Sequence, residues 1–345
     1  MKAAVLRGLE NMKVEDVRTP VCGDGGILIK VDSCAICKTD VKMFHVGHRD
    51  LELPRILGHE IAGTIVEVGT RIRGKFRVGD KVQMAPGVIC GSCSFCKTGA
   101  SNMCDNIKII GFHYDGGFAE YVFVSPKGVE NGSVNRIPPS VSFEEASLAE
   151  PIACCINALK RCRIEEGDVV AVFGAGPIGH LFAQLSILFG ASKVIVVERE
   201  RERLRFAEQH LQVDAIIDLA SGFSRTDMMK NEIDVAIPAC SAPEVLALGI
   251  NILRKRGRIV FFSGLLHMHK DVLIDHNLVH YKELQILGAY GCTPEQNREA
   301  LTILSTGRIK VDYLITHQIS LRELIRGFRL VDAHKAMKVV VKPFM

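Results

Sequence analysis

Residues 169–179 read "VVAVFGAGPIG". Val169–Phe173 is a short, uninterrupted apolar run, the pattern of a strand buried on both faces. Gly174, Gly176 and Gly179 follow in the spacing G-x-G-x-x-G. Next comes "GHLFAQLSILFGA" (179–191), with apolar residues at helical spacing, and then "SKVIVVE" (192–198), a second strand that ends in an acid. Three glycines alone are a weak signal, but strand, turn, helix and strand together are the setting of a Rossmann fingerprint. Gly174 permits the tight turn. At Gly176 a missing side chain lets backbone N–H groups reach a pyrophosphate, and Gly179 lets helix and strand pack closely. Pro177 and Ile178 belong to the same cofactor-binding loop.

Glu198 lies nineteen residues beyond Gly179. A carboxylate there accepts hydrogen bonds from the ribose hydroxyls and repels a 2′-phosphate, which favours NAD over NADP. Arg199, immediately after it, is the residue that would instead attract that phosphate. Arg203 is placed to cover the adenosine ribose or to serve as a solvated helix charge.

The strand–helix alternation continues beyond this motif. "RLRFAEQHL" is helical, "VDAIIDL" is extended, and "EIDVAIPA" and "RIVFFSG" are further strands. Such alternation over roughly 140 residues predicts a doubly wound parallel sheet. Before it, "SFEEASLAEPIACCINALKRC" (142–162) has helical spacing, with Ser142 and Glu145 as a capping box. The first 86 residues differ in kind. "GGILIKVDSCAI", "HEIAGTIVEVG" (59–69) and "FRVGDKVQMAP" (76–86) are Val- and Ile-rich with Gly-Asp punctuation, which suits an antiparallel, barrel-like β region. The chain is therefore α/β with two domains, as its 345 residues also suggest.

Composition narrows the class. Apolar content of 48% and charged content of 24% describe an ordinary globular protein. A net charge of +4, without a run of basic residues, argues against nucleic acid as a partner. No membrane span is expected, nor a signal peptide, so the expected location is cytoplasmic. Twelve cysteines in a reducing compartment point to metal or chemistry rather than to disulfides.

Four of these cysteines lie in "VICGSCSFCKTGASNMCDN" (88–106), as Cys90, Cys93, Cys96 and Cys104. The spacing C-x2-C-x2-C-x7-C lets a short loop wrap one tetrahedral zinc ion. With all four positions taken by protein, that zinc is structural. Iron–sulfur clusters use similar runs, but nothing else here suggests electron transfer. A nucleic-acid-reading finger is excluded by the lack of histidines and of a basic helix.

A second constellation is dispersed: Cys34, Cys37, Thr39 and Asp40 in "CAICKTD", His59 and Glu60 in "LGHEIAG", and Glu150, Cys154 and Cys155 in "LAEPIACC". One Cys, one His and a carboxylate can form a catalytic zinc site with an open position. Taken with "VGDKV", "DGGFAEYV", the four-cysteine lobe, "GAGPIG" and a C-terminal "KVVVKP", these segments make the chain resemble the zinc-dependent medium-chain dehydrogenases, in their polyol (sorbitol-type) branch. The resemblance spans nearly the whole chain.

It implies a GroES-like β-barrel catalytic domain, residues 1–150 and 288–345, and a Rossmann domain, residues 151–287. It implies two zinc ions per chain, one structural and one catalytic, with Cys37, His59, Glu60 and Glu150 at the catalytic ion. The implied reaction is hydride transfer from a polyol, sugar alcohol or secondary alcohol to NAD. Threonine-type amino alcohols and sugar-alcohol phosphates are the alternative substrates, and a non-enzymatic sensor is disfavoured by the intact ligands. Thr39 matches the hydroxyl that takes the alcohol proton. Many relatives carry a relay histidine five residues after the zinc cysteine, where this chain has Lys42, so the relay is expected to run through Lys42 or His45. His267 and His269 in "SGLLHMHKD" stand near where relatives approach the nicotinamide. A homodimer or homotetramer is the implied assembly.

Overall fold

The computed structural model describes residues 1–72, 74–220, 232–265 and 271–345. His267 and His269 lie outside the described residues. Among the described residues no helix is long and apolar enough to cross a membrane. The chain forms two compact units, Met1–Ala153 with Cys292–Met345, and Cys154–Gly291. The breaks fall three and four residues beyond the boundaries expected at 150 and 287. One break lies inside the helix Ala149–Cys162, and at the other the turn after the last parallel strand, Gln285–Gly288, stays with its sheet.

The first unit is built on a seven-stranded sheet. Its main path runs Val134–Arg136, Lys81–Met84, Glu60–Val68, Ile27–Ala35, Lys338–Lys342, Ile315–Ser320, and Tyr121–Val124 also pairs with Ile27–Ala35. All pairings are antiparallel except the last step, between the two C-terminal strands. The C-terminal strand thus enters the middle of the N-terminal sheet and ties the ends of the chain into one core. Ile27, Ile29, Ile61, Phe118 and Val339 are buried there. This is the GroES-like domain. A separate two-stranded ribbon, Gly87–Val88 with Lys108–Ile109, flanks the four-cysteine segment in the chain.

The second unit is a six-stranded, all-parallel sheet. Its order is Ala215–Asp218, Lys193–Glu198, Val169–Phe173, Ile233–Pro238, Leu253–Phe261, Gln285–Gly288. Numbered along the chain this is 3-2-1-4-5-6, the doubly wound Rossmann order. The reversal lies at Val169–Phe173, the strand that delivers the glycine turn. Gly174 has φ +105°, and a Cβ on Gly179 would stand 1.8 Å from the Gly174 carbonyl oxygen. Any side chain at Gly179 would therefore force the helix Pro177–Leu188 off the strand.

His180 opens the buried face of that helix. It has no exposed surface, and its ring meets Phe206 edge-on at 5.5 Å between centroids. Burial, then the nearby His210 and Arg203 charges, push its imidazole down to about 3. The folded unit thus refuses a proton that the unfolded chain accepts near pH 6.5. The resulting penalty is absent above that pH and grows as pH falls toward 3, reaching about 2 kcal/mol at pH 5. His180→Leu is expected to flatten this loss. Melting curves of both proteins between pH 7.5 and 5 should converge on acidification in the variant's favour. A constant offset at every pH would show that His180 does not carry the effect.

Candidate active site and metal centres

The four-cysteine lobe is built from local turns. Cys90 Sγ lies 3.9 Å from Cys96 Sγ, and Cys93 Sγ 3.5 Å from Cys96 Sγ. All four sulfurs lie within 4.8 Å of one another. Four thiolates around one zinc at Zn–S of about 2.3 Å would stand roughly 3.8 Å apart, so the sulfurs already mark the corners of such a shell. Backbone N–H groups support it. Ser92 and Cys93 donate to Cys90 Sγ at 3.4 and 3.3 Å, and Cys90 donates to Cys104 Sγ at 3.2 Å. The first two of these bonds pull the Cys90 thiol down to about 5, favouring the thiolate that a metal needs. The donor set is closed and fits zinc.

The dispersed constellation assembles inside the GroES-like unit. Cys37 caps the helix Lys38–Val46, with its sulfur accepting from the Thr39 N–H at 3.4 Å. Asp40, one turn in, returns the contact by accepting from the Cys37 N–H at 2.9 Å. Its other oxygen accepts from the Gly58 N–H and meets His59 Nδ1, both at 3.2 Å. Asp40 therefore joins the helix start to the strand that follows His59, and it fixes the ring so that Nε2 is left for a metal. Carboxylate–histidine pairs orient metal ligands in this way. Phe112 packs edge-on against the His59 ring at 5.6 Å.

Cys37, His59 and Glu60 come together, each offering a ligand atom within 4.8 Å of the others. Glu60 is fully buried, and both its oxygens are held by Lys338 Nζ, at 2.6 and 2.5 Å. Burial works against the Lys338 charge, but Glu60 outweighs it and holds the ammonium above its ordinary value. Burial also raises Glu60, to about 7, against the pull of Lys338 and with the push of Glu150. Two short hydrogen bonds tie the carboxyl group to the Lys338 ammonium. Burial likewise opposes a charge on His59, yet the Asp40 carboxylate holds its imidazole well above the usual range. Cys37, Asp40, Glu60 and Glu150 against Lys338 make a centre that attracts positive charge, and its soft sulfur, imidazole and carboxylate donors suit zinc.

Glu150 is buried but falls in a different group, with its Oε1 4.0 Å from Cys292 Sγ. Cys155, from the same segment, is buried in the helix Ala149–Cys162 and does not belong to either group. Thr39 is half-buried, and its hydroxyl makes no hydrogen bond among the described residues. Of the two relay candidates, His45 is not brought to the cluster. Its Nδ1 meets Glu10 at 2.6 Å and its Nε2 faces Asp332 at 3.6 Å. Lys42 is half-buried and makes no ion pair among the described residues. Burial, then Arg49 and Lys42, hold the neighbouring His48 below its ordinary value against Asp50.

At the glycine loop, Glu198 accepts from the Ala175, Arg199 and Glu200 N–H groups at 2.7, 2.7 and 3.0 Å. Arg199 faces Glu200 at 3.7 Å and Glu244 at 4.0 Å. Arg203 lies over the loop, its guanidinium 3.5 Å from where a Gly176 Cβ would stand. Sequence reasoning missed Lys338 and Cys292. Lys338 sits in the quoted "KVVVKP", but nothing local marks a lysine as the partner of a residue 278 positions away.

Comparison with known proteins agrees with this geometry. Residues 23–132 match the alcohol dehydrogenase GroES-like domain, and residues 177–306 match the zinc-binding dehydrogenase family. The protein named "Probable D-xylulose reductase A" of Aspergillus clavatus is 31% identical, over 98% of this chain and 95% of that one. Sorbitol dehydrogenase of Halalkalibacterium halodurans is 29% identical over 99% of each. The crystal structure of a zinc-binding dehydrogenase from Sinorhizobium meliloti, bound to NADP, superposes with a TM-score of 0.91 at 32% identity over 99% of each chain. The chain belongs to the zinc-binding medium-chain dehydrogenases, in their polyol dehydrogenase branch.

Proposed function

We propose that this protein oxidises a secondary hydroxyl of a polyol or sugar alcohol with NAD, using one zinc ion held by Cys37, His59 and Glu60 and a second held by Cys90, Cys93, Cys96 and Cys104. The observation that carries the reading is the gathering of Cys37, His59 and Glu60 within 4.8 Å, braced by Asp40 and Lys338. Bound there, zinc supplies the Lewis acidity that lowers a hydroxyl pKa, and NAD supplies the hydride acceptor.

The chain's own groups do the rest. Asp40 aims His59, and Lys338 holds Glu60 as a carboxylate. The unpartnered Thr39 hydroxyl is the acceptor for the substrate proton, and Lys42, on the same helix, is the candidate to pass it outward. NAD is favoured because a 2′-phosphate would meet the Glu198 carboxylate, while Arg199 is already placed between two acids. Glu198 retains acceptor capacity beyond its three backbone partners, since an ionised carboxylate has about four lone-pair sites. Among the described residues, Gln285–Gly288 has one neighbouring strand in the parallel sheet, and the exposed Ile286 lies on it. A second copy pairing along that edge would satisfy its open backbone groups, which supports a homo-oligomer. A cytoplasmic location belongs to the same reading.

The test is a panel of sorbitol, ribitol, inositol, 2,3-butanediol, threonine and polyol phosphates, each with NAD and with NADP, followed by absorbance of the reduced cofactor. Metal analysis of the same preparation should find about two zinc ions per chain. Reduction with a polyol and NAD is expected. No reduction with any alcohol, or a single zinc ion, would overturn the reading.

A further inference from the structure

Behind Glu150 runs a chain of buried amides that the proposed reaction does not use. Asn135, Gln83 and Asn297 are all at least 96% buried, within the GroES-like unit. Asn135 Nδ2 donates to Gln83 Oε1 at 3.2 Å, and Gln83 Nε2 donates to Asn297 Oδ1 at 2.9 Å. Asn297 Nδ2 donates to Cys292 Sγ at 3.2 Å, and Cys292 Sγ stands 4.0 Å from Glu150 Oε1.

The direction of this chain is fixed by the backbone. Gln83 Nε2 also donates to the Met84 carbonyl at 2.8 Å, and Asn297 Nδ2 to the Thr293 carbonyl at 3.0 Å. Carbonyls only accept, so neither amide can exchange its oxygen and nitrogen without leaving two acceptors face to face. Every link therefore donates toward Cys292, and at the far end Asn135 Oδ1 has no partner among the described residues. A buried orphan acceptor is destabilising, so this polarity is retained at a cost. With an amide N–H aimed at its sulfur, Cys292 is the acceptor of that bond, and its own proton is directed to the carboxylate. A thiol is a weak donor and 4.0 Å is long, so the contact sets orientation more than energy.

We propose that Cys292 is a positioning residue for Glu150: it directs its thiol proton to Oε1 and so fixes the orientation in which this carboxylate supports the Cys37, His59 and Glu60 metal position. Glu150 lies in the same unit as that position, and its charge is one of the influences that raise Glu60. The inference rests on the zinc assignment proposed above.

The test is metal retention by the purified full chain, titrated with a chromophoric chelator, in the wild type, Cys292→Ala and Cys292→Ser. The four-cysteine zinc is the internal reference for folding. Cys292→Ala is expected to weaken the catalytic-site metal about tenfold, as for other groups that orient a metal site from behind the ligands. Cys292→Ser, which keeps a donor, should stay within about threefold of wild type. Unchanged retention in the alanine variant overturns the inference, as does a serine variant that behaves like alanine. Loss of both metals together in the alanine variant would mark a packing role and overturn it too. A wild-type chain with one metal sinks the zinc assignment itself, whereas two metals with an unresponsive Cys292 sink this inference alone.

Discussion

Cys37→Ser is expected to lower kcat/KM for alcohol oxidation by about a thousandfold or more while leaving the thermal transition of the protein within a few degrees of wild type. The two effects separate because Cys37 has two roles. As a metal ligand its thiolate has no substitute in a serine hydroxyl, and losing a Lewis acid forfeits several kcal/mol of transition-state stabilisation, or three or more decades in rate. As the residue that caps the helix Lys38–Val46 it accepts from the Thr39 N–H. Serine is among the preferred residues at that position, so the helix start and the Asp40 brace should survive. Metal analysis should show one zinc ion lost and the four-cysteine ion kept. More than a tenth of wild-type activity remaining would mean that Cys37 does not hold the catalytic metal.

The second large effect concerns the ion pair beneath that ligand set. Lys338→Met is expected to destabilise the GroES-like unit by about 3–5 kcal/mol, the usual cost of removing one partner from a buried pair. Glu60 would be left fully buried without its partner, charged or forced to take up a proton, and the Ile36 carbonyl would lose the ammonium that donates to it at 3.2 Å. At roughly 2–4 °C per kcal/mol for a domain of this size, calorimetry should show a fall of about 10 °C. Lys338→Arg, which keeps the charge, should recover part of it. A fall of under 3 °C in the methionine variant would show that Glu60 discharges or finds another partner.

How far the sequence could be read depended on how far apart the partners lie along the chain. The glycine turn and the four cysteines are local: each group of partners falls within one loop, so spacing alone states the geometry. "GHE" and "CAICKTD" were recognisable as candidate metal-binding segments. Lys42 and His45 show where this stops. Both lie near Cys37 along the helix, and spacing could not separate them. The structure adds what spacing could not show, that the two nitrogens of His45 face Glu10 and Asp332, residues 35 and 287 positions away.

Sequence by itself determined the two-domain α/β organisation and the dinucleotide loop, and it singled out the cysteine cluster and the dispersed candidate ligands, since these rest on periodicity and on side-chain chemistry within short segments. Tertiary structure alone decided which carboxylate joins Cys37 and His59, and which group neutralises it. The physical reason is strand register. Ala35 pairs with Glu60 on one side and with Val340 on the other, so the C-terminal strand enters the sheet with Lys338 two residues from that contact and on the same face. A pairing 278 residues long follows from two antiparallel ladders that share one strand, and a slip of one residue would have turned the ammonium to the opposite face.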